Sequence, residues 1–200
     1  MPAPSRKNVL PKTRTPEEWQ RLFASIDTRY PTAARNHALL YLMYVTAARV
    51  AEATALHVSD LDFDLMKLHV RDGKTGERNV PLPEDATLRQ TLDRWYRVRA
   101  EWNPDSPLLF VTKAGKPLHP NAVRRVMLVY GERSGIGHTT PHMLRHSCAS
   151  ELLGNGATPI GVQRVLGHKN LSTTLSEYAH ASDVYAAEAM GKRFRRTGQP

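Results

Sequence analysis

Arg49 lies where an arginine is well placed to bind an anion. The residues before it have helical spacing, and a second short helix is predicted to begin directly after it, with Glu52 one turn further on. A helix N-terminus carries free N–H groups and a positive dipole end, and a guanidinium adds parallel donors that fit phosphate or carboxylate oxygens. The ordinary alternative for this spacing is a solvent-exposed Arg49–Glu52 ion pair, and such pairs are weak.

A second candidate group lies at 141–146, where the sequence is Pro-His-Met-Leu-Arg-His. A spacing of three places His142 and Arg145 on one helix face. Arginine can bind two phosphate oxygens, and a neighbouring histidine can donate to a third oxygen or move a proton. His142 and His146 also have the spacing of a zinc pair. No glutamate follows His142 and the chain has no cysteine cluster, so no metal site is predicted.

A tyrosine near the end of the chain follows a turn motif. In Leu166-Gly167-His168, the glycine allows a sharp turn that would aim the histidine. Residues 172–174 are Ser-Thr-Thr, which suit a helix N-cap, so Tyr178 is predicted to lie on the short helix that follows. Tyrosine can form covalent intermediates, although a lone tyrosine is more often a half-buried core residue.

The order of these groups resembles that of the phage integrase family, the tyrosine recombinases. Each motif alone is weak, but all of them occur in the family's order over most of the chain. The matching segments are Thr46–Glu52, Gly73–Arg78 with Val80–Leu82, His142–His146, Leu166–His168 and Tyr178–His180. Ala47 departs from the pattern, because the family usually has glycine there; if that glycine has positive φ, a slightly altered turn is expected.

The resemblance assigns four side chains to the scissile phosphate of a DNA strand. Arg49 and Arg145 would bind its two non-bridging oxygens and neutralise the charge of the pentavalent transition state. His142 would assist, either as a donor or as the base that takes the tyrosine proton. His168 would donate a hydrogen bond to the phosphate.

The remaining assignments concern the nucleophile, the leaving group and a supporting carboxylate. Tyr178 would attack phosphorus and form a 3′-phosphotyrosine, and Tyr185 is a less favoured alternative. Lys74, at the turn of a predicted hairpin, would protonate the departing 5′ oxygen and is preferred to Lys67. Glu52 would support the arginine beside it.

The function implied is that of a site-specific DNA recombinase, similar to integrases, Xer proteins or invertases. It would cleave and rejoin strands through the phosphotyrosine without a metal, ATP or other cofactor, and the sequence has no glycine-rich nucleotide loop. A type IB topoisomerase-like enzyme and a non-catalytic DNA-binding regulator with the same fold are the alternatives. The short spacing from His168 to Tyr178 favours the recombinase, and the intact residue set argues against the regulator.

Composition agrees with an anionic partner. The formal net charge is +9 and the sequence pI is about 9.9, which favours nucleic acid. The single cysteine, Cys148, excludes an intramolecular disulfide and fits a reducing, intracellular setting. With DNA as the implied partner, a cytoplasmic, nucleoid-associated location is expected. No apolar run reaches the ~20 residues that span a bilayer, so no membrane partner is expected. Candidate DNA-contacting residues are the basic N-terminal arm, His119, Asn121, Arg124 and Arg125.

Helical spacing dominates the segments that must position these groups. Helices are predicted at about 16–26, 32–46, 50–56, 84–101, 120–133, 141–154, 158–166, 172–179 and 183–194. A hairpin is predicted over 67–82, and a further short strand at 108–111. The fold class is therefore mainly α with a small antiparallel β-sheet (α+β), as the resemblance to the tyrosine recombinase catalytic domain also implies.

Three parts are expected along the chain. Residues 1–14 would form a basic N-terminal arm or linker, and 15–180 the catalytic domain. Thr15, Pro16 and Glu18 have the pattern of a capping box at the domain's first helix. Residues 181–200 would form a C-terminal helix and basic tail, and this helix would pack either in cis or against a neighbouring protomer. The resemblance implies double-stranded DNA as partner and a homo-oligomer, a tetramer, on DNA, with a monomer as an option in solution.

Overall fold

The computed structural model describes residues 13–73, 76–102, 104–175 and Tyr178. Within these residues the protein is mainly helical with one small antiparallel sheet, which confirms the predicted fold class. The helices are α1 (Pro16–Ala24), α2 (Pro31–Thr46), α3 (Val50–Ala55), α4 (Ala86–Trp102), α5 (Pro120–Arg133), α6 (Pro141–Gly154) and α7 (Pro159–Leu166). Residues 171–175 and Tyr178 are also helical, as predicted.

Local capping fixes where the helices begin. Thr15 Oγ1 accepts from the Glu18 N–H at 3.3 Å, and Glu18 Oε2 accepts from the Thr15 N–H at 2.8 Å, so the predicted capping box of α1 is confirmed. The Thr140 and Thr158 side chains cap α6 and α7 by accepting from the Met143 and Gly161 N–H groups, and each threonine is followed by proline. These caps matter for function because α6 and α7 carry or adjoin most of the candidate site.

The sheet has strand order β1–β2–β3, with β1 at Leu61–Asp62, β2 at Lys67–Gly73 and β3 at Gly76–Pro81. Both pairs are antiparallel, and Leu68 lies opposite Leu61 on one side and Val80 on the other. The predicted hairpin is confirmed, whereas β1 was not predicted because two residues show no period. Lys74 lies outside the described residues.

The strand predicted at 108–111 is wrong. Two isolated bridges, His57 with Leu108 and Val111 with Pro117, replace it. The segment was misassigned because it is a continuous apolar run, and Leu109, Phe110 and Val111 are indeed fully buried. The Leu109 N–H donates to the Leu56 carbonyl at 2.7 Å, so the run crosses the end of α3 rather than joining the sheet.

Two apolar clusters hold these elements together. The larger joins α1, α2, α4, α5 and the sheet around Trp19, Leu42 and Trp95. The smaller lies between α6 and α7 and includes Ala47 and Tyr178. Within the described part of the chain, no helix has both the length and the apolar character needed to cross a membrane. The predicted N-terminal arm to residue 12, the 183–194 helix and Tyr185 lie outside the described residues.

Candidate active site

The turn between α2 and α3 aims a backbone carbonyl at Arg145. Ala47 has φ 53° and ψ 23°, the left-handed conformation that glycine adopts most easily, and it is fully buried. A non-glycine residue in this region costs about 1–2 kcal/mol. The left-handed turn therefore forms here despite the methyl group, and the Ala47 carbonyl accepts from Arg145 Nη1 at 2.7 Å.

Glu52 holds two arginines at once. Arg49 Nη1 donates to Glu52 Oε1 at 2.7 Å, while Arg78 donates to both carboxylate oxygens at 2.9 and 2.8 Å. The Arg49 backbone N–H also donates to Glu52 Oε2. Burial alone would raise the pKa of Glu52, but the hydrogen bonds and charges of Arg78 and Arg49 outweigh it and lower the pKa to about 2. The weak surface pair considered from the sequence is thus a largely buried carboxylate between two guanidinium groups.

Gly167 lets Arg78 pass beneath the end of α7. This glycine has φ +62°, and a Cβ there would lie 2.9 Å from Arg78 Cδ. Arg78 Nε also donates to the Val165 carbonyl at 3.1 Å. Because any larger residue would strain the turn and meet the arginine, glycine is required both for conformation and for space. The hairpin strand β3 is thereby tied to the α7 turn and to Glu52.

Arg145 is buried in the centre of the site, with only 5% of its surface exposed. Its Nη2 donates to the Leu166 carbonyl at 2.5 Å, in addition to the bond with Ala47. Burial first, and the charge of Arg49 second, lower the pKa of Arg145 to about 10, so the guanidinium is still charged at neutral pH. The two backbone carbonyls therefore fix the orientation of the Arg145 guanidinium plane before any ligand binds.

A pocket of about 460 Å³ opens in front of these cations. Arg49, Arg145 and His142 line it, as the sequence predicted for residues that share a phosphate. Arg124 from α5 lines it too. The other lining residues are Val50, Leu128, His138, Thr140 and Pro141. Three arginines and two histidines, from the start of α3, from α5 and from the segment 138–145, thus converge on one open space.

His168 faces a neighbouring cleft with Arg78 and Gly167, rather than lining the first pocket. Its Nδ1 lies 2.9 Å from Thr174 Oγ1, so the Ser/Thr run that was expected only to cap a helix also orients the ring. Burial, followed by the charges of Arg145 and Arg49, lowers the pKa of His168 to about 4. The imidazole is neutral at neutral pH and retains one N–H for donation.

Tyr178 is buried, with 5% of its surface exposed, and it does not line the pocket. Its hydroxyl oxygen lies 2.8 Å from His146 Nδ1, and the two rings are 5.5 Å apart. His146 Nε2 in turn lies 2.7 Å from His142 Nε2. The tyrosine is thus connected through His146 to a histidine at the pocket.

Sequence reasoning missed the parts played by His146 and Arg78. His146 was considered only as half of a zinc pair; among the described residues, no group of three or more histidine, cysteine, aspartate and glutamate side chains could hold a metal ion. Its position one turn after His142 on the same helix was the available signal. Arg78 was quoted within a motif without a role, because its contact with Glu52 spans 26 positions.

The sequence and the structure were compared with those of known proteins, and the family match agrees with the motifs of the site. The model of the phage integrase family matches residues 12–184. The chain belongs to the phage integrase family. This phage integrase homologue keeps the family's order of candidate residues, so the predicted family membership is confirmed.

Two curated relatives illustrate the similarity. The tyrosine recombinase XerC of Histophilus somni (strain 2336) is 32% identical over 195 residues, covering 97% of this chain and 65% of the relative. The tyrosine recombinase XerC of Corynebacterium glutamicum is 37% identical over 162 residues, covering 81% of this chain and 52% of the relative. This phage integrase homologue thus spans less than two thirds of the length of the relatives that it matches.

Solved structures share the fold. A crystal structure of XerA recombinase superposes with a TM-score of 0.77 at 26% identity, covering 96% of this chain and 66% of that one. The structure of XerH site-specific recombinase, bound to a palindromic difH substrate in a post-cleavage complex, superposes with a TM-score of 0.79 at 25% identity. The match covers 92% of this chain and 54% of that one. These likenesses confirm the predicted tyrosine recombinase fold for this member of the phage integrase family.

Proposed function

We propose that this chain is the catalytic part of a site-specific DNA recombinase that cleaves and rejoins strands through a phosphotyrosine. The observation that carries the proposal is the convergence of Arg49, Arg145 and His142 on one pocket. A pocket lined by cationic side chains suits a phosphodiester, whose transition state gains negative charge. Membership of the phage integrase family supports the same chemistry.

In this mechanism two arginines bind the scissile phosphate. Arg145 is held by the Ala47 and Leu166 carbonyls, and Arg49 is held by Glu52. Both guanidinium groups would bind the two non-bridging oxygens. Because the protein has already oriented both groups, little reorganisation is needed as charge develops. Glu52 acts through the arginines rather than on the substrate.

The covalent step uses Tyr178 as the nucleophile. Its oxygen loses its proton to a histidine base and forms a bond to phosphorus, the bond from phosphorus to the 5′ oxygen breaks, and the departing oxygen takes a proton from Lys74. His168 would donate a hydrogen bond to the phosphate. The phosphotyrosine retains the energy of the broken ester, so a 5′ hydroxyl of another strand can reverse the step without ATP, a metal or another cofactor.

Double-stranded DNA is the proposed partner. The net charge of +9 favours it, and Arg124 reaches the pocket from α5, so this face would lie against the duplex beside the cleaved strand. Asn121 and Arg125 lie on the same exposed surface of the helix. We further propose that residues 15–180 form the catalytic domain and that it works as a tetramer on DNA, with the protein located at the nucleoid.

Covalent trapping tests the proposal. Wild-type chain and the Tyr178→Phe variant are incubated with fragmented genomic DNA of the source organism, in EDTA, and analysed on a denaturing gel. We expect a protein–DNA adduct for wild type and none for Tyr178→Phe, because phenylalanine lacks the attacking oxygen. Far-UV circular dichroism of the variant serves as the control for folding.

The other outcomes identify the competing functions. An adduct in both proteins would move the nucleophile to another residue, Tyr185 first. DNA binding with no adduct in either would favour a non-catalytic regulator. Relaxation of a supercoiled plasmid that lacks any recombination site would favour a topoisomerase-like enzyme.

A further inference from the structure

The histidine that contacts the proposed nucleophile has no role in the scheme above. His146 Nδ1 lies 2.8 Å from the Tyr178 hydroxyl oxygen, and only 3% of the surface of His146 is exposed. This is the distance over which a general base takes a proton. His146 therefore touches a reacting atom before any DNA is bound.

The second ring nitrogen of His146 continues the contact toward the pocket. Its Nε2 lies 2.7 Å from His142 Nε2, with the two rings nearly perpendicular at 88°. A hydrogen bond of this length needs one proton between the two nitrogens. If His146 Nε2 carries it, Nδ1 accepts from the tyrosine hydroxyl, and His142 Nε2 accepts from His146 Nε2. His142 is exposed and lines the pocket.

The surroundings keep His146 neutral. The titratable and charged groups that face its ring are His142 and Arg145 on its own helix, His168 beyond α7, and Tyr178. Burial first, and then the charges of the other histidines and Arg145, lower the pKa of His146 to about 4. A neutral imidazole can accept a proton at neutral pH, and a bound phosphate would offset the nearby positive charge and strengthen it as a base.

We propose that His146 is a catalytic residue that takes the proton of Tyr178 and relays charge to His142. As the tyrosine oxygen bonds to phosphorus, its proton moves to His146 Nδ1, and the proton on His146 Nε2 moves to His142 Nε2. His146 ends neutral and His142 ends as the cation beside the phosphate. The 5′ oxygen is protonated separately, by Lys74. This inference rests on the proposed function.

The test replaces His146 with a residue that keeps the contact but not the basicity. In His146→Asn, an amide atom takes the place of Nδ1 and can still hydrogen-bond Tyr178, but it does not take up a proton. The substrate is DNA carrying a 5′-bridging sulfur at the cleaved position, chosen from a fragment trapped by wild type. A thiolate leaves without a proton, so cleavage of this substrate reports the nucleophile's activation and not the acid. We expect a loss of about 10²- to 10⁴-fold in single-turnover rate.

The pH profile separates a base from a structural support. Wild type should cleave the sulfur substrate at nearly constant rate from about pH 6 to 9, because His146 is already neutral there. His146→Asn should accelerate by about tenfold per pH unit, since its tyrosine must lose the proton to hydroxide.

A matched control is available in His37→Asn. His37 is a second histidine whose pKa is lowered to about 4, chiefly by burial, and its ring packs on Phe23 and Tyr41, away from the pocket. It should lose less than tenfold in rate. Wild-type rate and profile in His146→Asn would overturn the inference while leaving the adduct, and so the proposed function, intact. Absence of any adduct with wild type would overturn both.

If His146→Asn fails to fold, solvent isotope measurements on wild type decide. A relay moves two protons between tyrosine and histidines, so a plot of the cleavage rate of the sulfur substrate against the D2O fraction should bow below a straight line. A straight dependence on the D2O fraction would mean a single proton in flight and would overturn the relay.

Discussion

Arginine is used in opposite ways at the centre of the pocket and on its edge. At the centre, Arg49, Arg78 and Arg145 surround Glu52, and we call these four residues the arginine cluster. Arg145 is 95% removed from solvent, and each guanidinium donates to a carboxylate or a backbone carbonyl. Charges buried in this way are costly unless every partner is in place.

On the edge, Asn121, Arg124 and Arg125 form an exposed basic surface of α5, which we call the rim. Arg124 contacts the Asn121 side-chain oxygen within the same helix. No further side-chain hydrogen bond of Arg124 or Arg125 to another described residue was found. Exposed cations of this kind keep their side-chain conformational freedom, and they bind phosphate mainly through long-range, salt-sensitive electrostatic attraction.

Substitutions in the two regions should therefore have different effects on stability, cleavage and DNA binding. The arginine cluster is preorganised, so a change there should reduce both the folding free energy and the rate of the chemical step. The rim is adaptable, so a change there should weaken DNA binding alone.

Arg145→Lys should reduce strand cleavage about 10²- to 10³-fold. Lysine has a single tetrahedral ammonium, so it cannot keep both carbonyl contacts and present a planar pair of donors to phosphate. The measurement is single-turnover adduct formation at saturating DNA. Arg97→Lys, at an exposed position on α4, is the matched control and should behave as wild type. A loss below tenfold would break the contrast between cluster and rim.

Glu52→Gln should lower the free energy of unfolding by about 3 kcal/mol. The substitution leaves Arg49 and Arg78 without the buried carboxylate that neutralises them. Urea denaturation followed by circular dichroism measures it. Glu84→Gln, at an exposed position, should change the value by less than about 0.5 kcal/mol. Equal effects at both positions would show that the Glu52 pairs add nothing to stability.

Stability should fall as the pH is lowered from about 6.5 toward 4. The pKa of His146 is about 4 in the folded protein and near 6.5 when unfolded. Between these values the unfolded chain binds the proton and the folded chain does not, so acid favours unfolding. His146 should account for about 1–2 kcal/mol of the loss between pH 7 and 5. Urea midpoints that decline as steeply in His146→Asn as in wild type would contradict this.

Rim substitutions should have the smallest effects. Arg124→Ala and Arg125→Ala should each weaken DNA binding severalfold and reduce the salt dependence by about one phosphate contact. Arg124→Ala should have the larger effect, because Arg124 lines the pocket. The unfolding free energy should stay within about 0.5 kcal/mol. Fluorescence anisotropy over a salt series measures this, and affinities equal to that of Arg97→Ala would remove the rim from the DNA interface.

The sequence was informative wherever the signal was local. Thr15 with Glu18, Pro141 and Gly167 mark helix ends through interactions within a few residues, so α1, α6 and α7 were predicted nearly as observed. The convergence of Arg49, Arg145 and His142 followed from the family's motif order. The helix ends depend on neighbouring residues, whereas the convergence was expected from the resemblance to the family and not from local spacing.

Contacts between distant segments could not be predicted in the same way. Tyr178 and His146 are 32 positions apart, and no periodicity links them. The left-handed φ of Ala47 is imposed by the surrounding packing against its own preference. The burial of Leu109 across the end of α3 likewise followed from tertiary packing, and therefore its apolar run was mistaken for a strand.

The two acceptors that hold Arg145 belong to the main chain, and this has a consequence for genetics. Replacing the side chain of Leu166 leaves its carbonyl in place, and position 47 is alanine already. Alanine at position 166 would therefore remove neither of the two carbonyls that accept from Arg145. Inserting or deleting one residue in the turn after α2, or replacing Gly167 at the end of α7, would shift those oxygens. The position of this arginine therefore depends on loop length and backbone conformation, and side-chain substitutions at positions 47 and 166 would not reveal it.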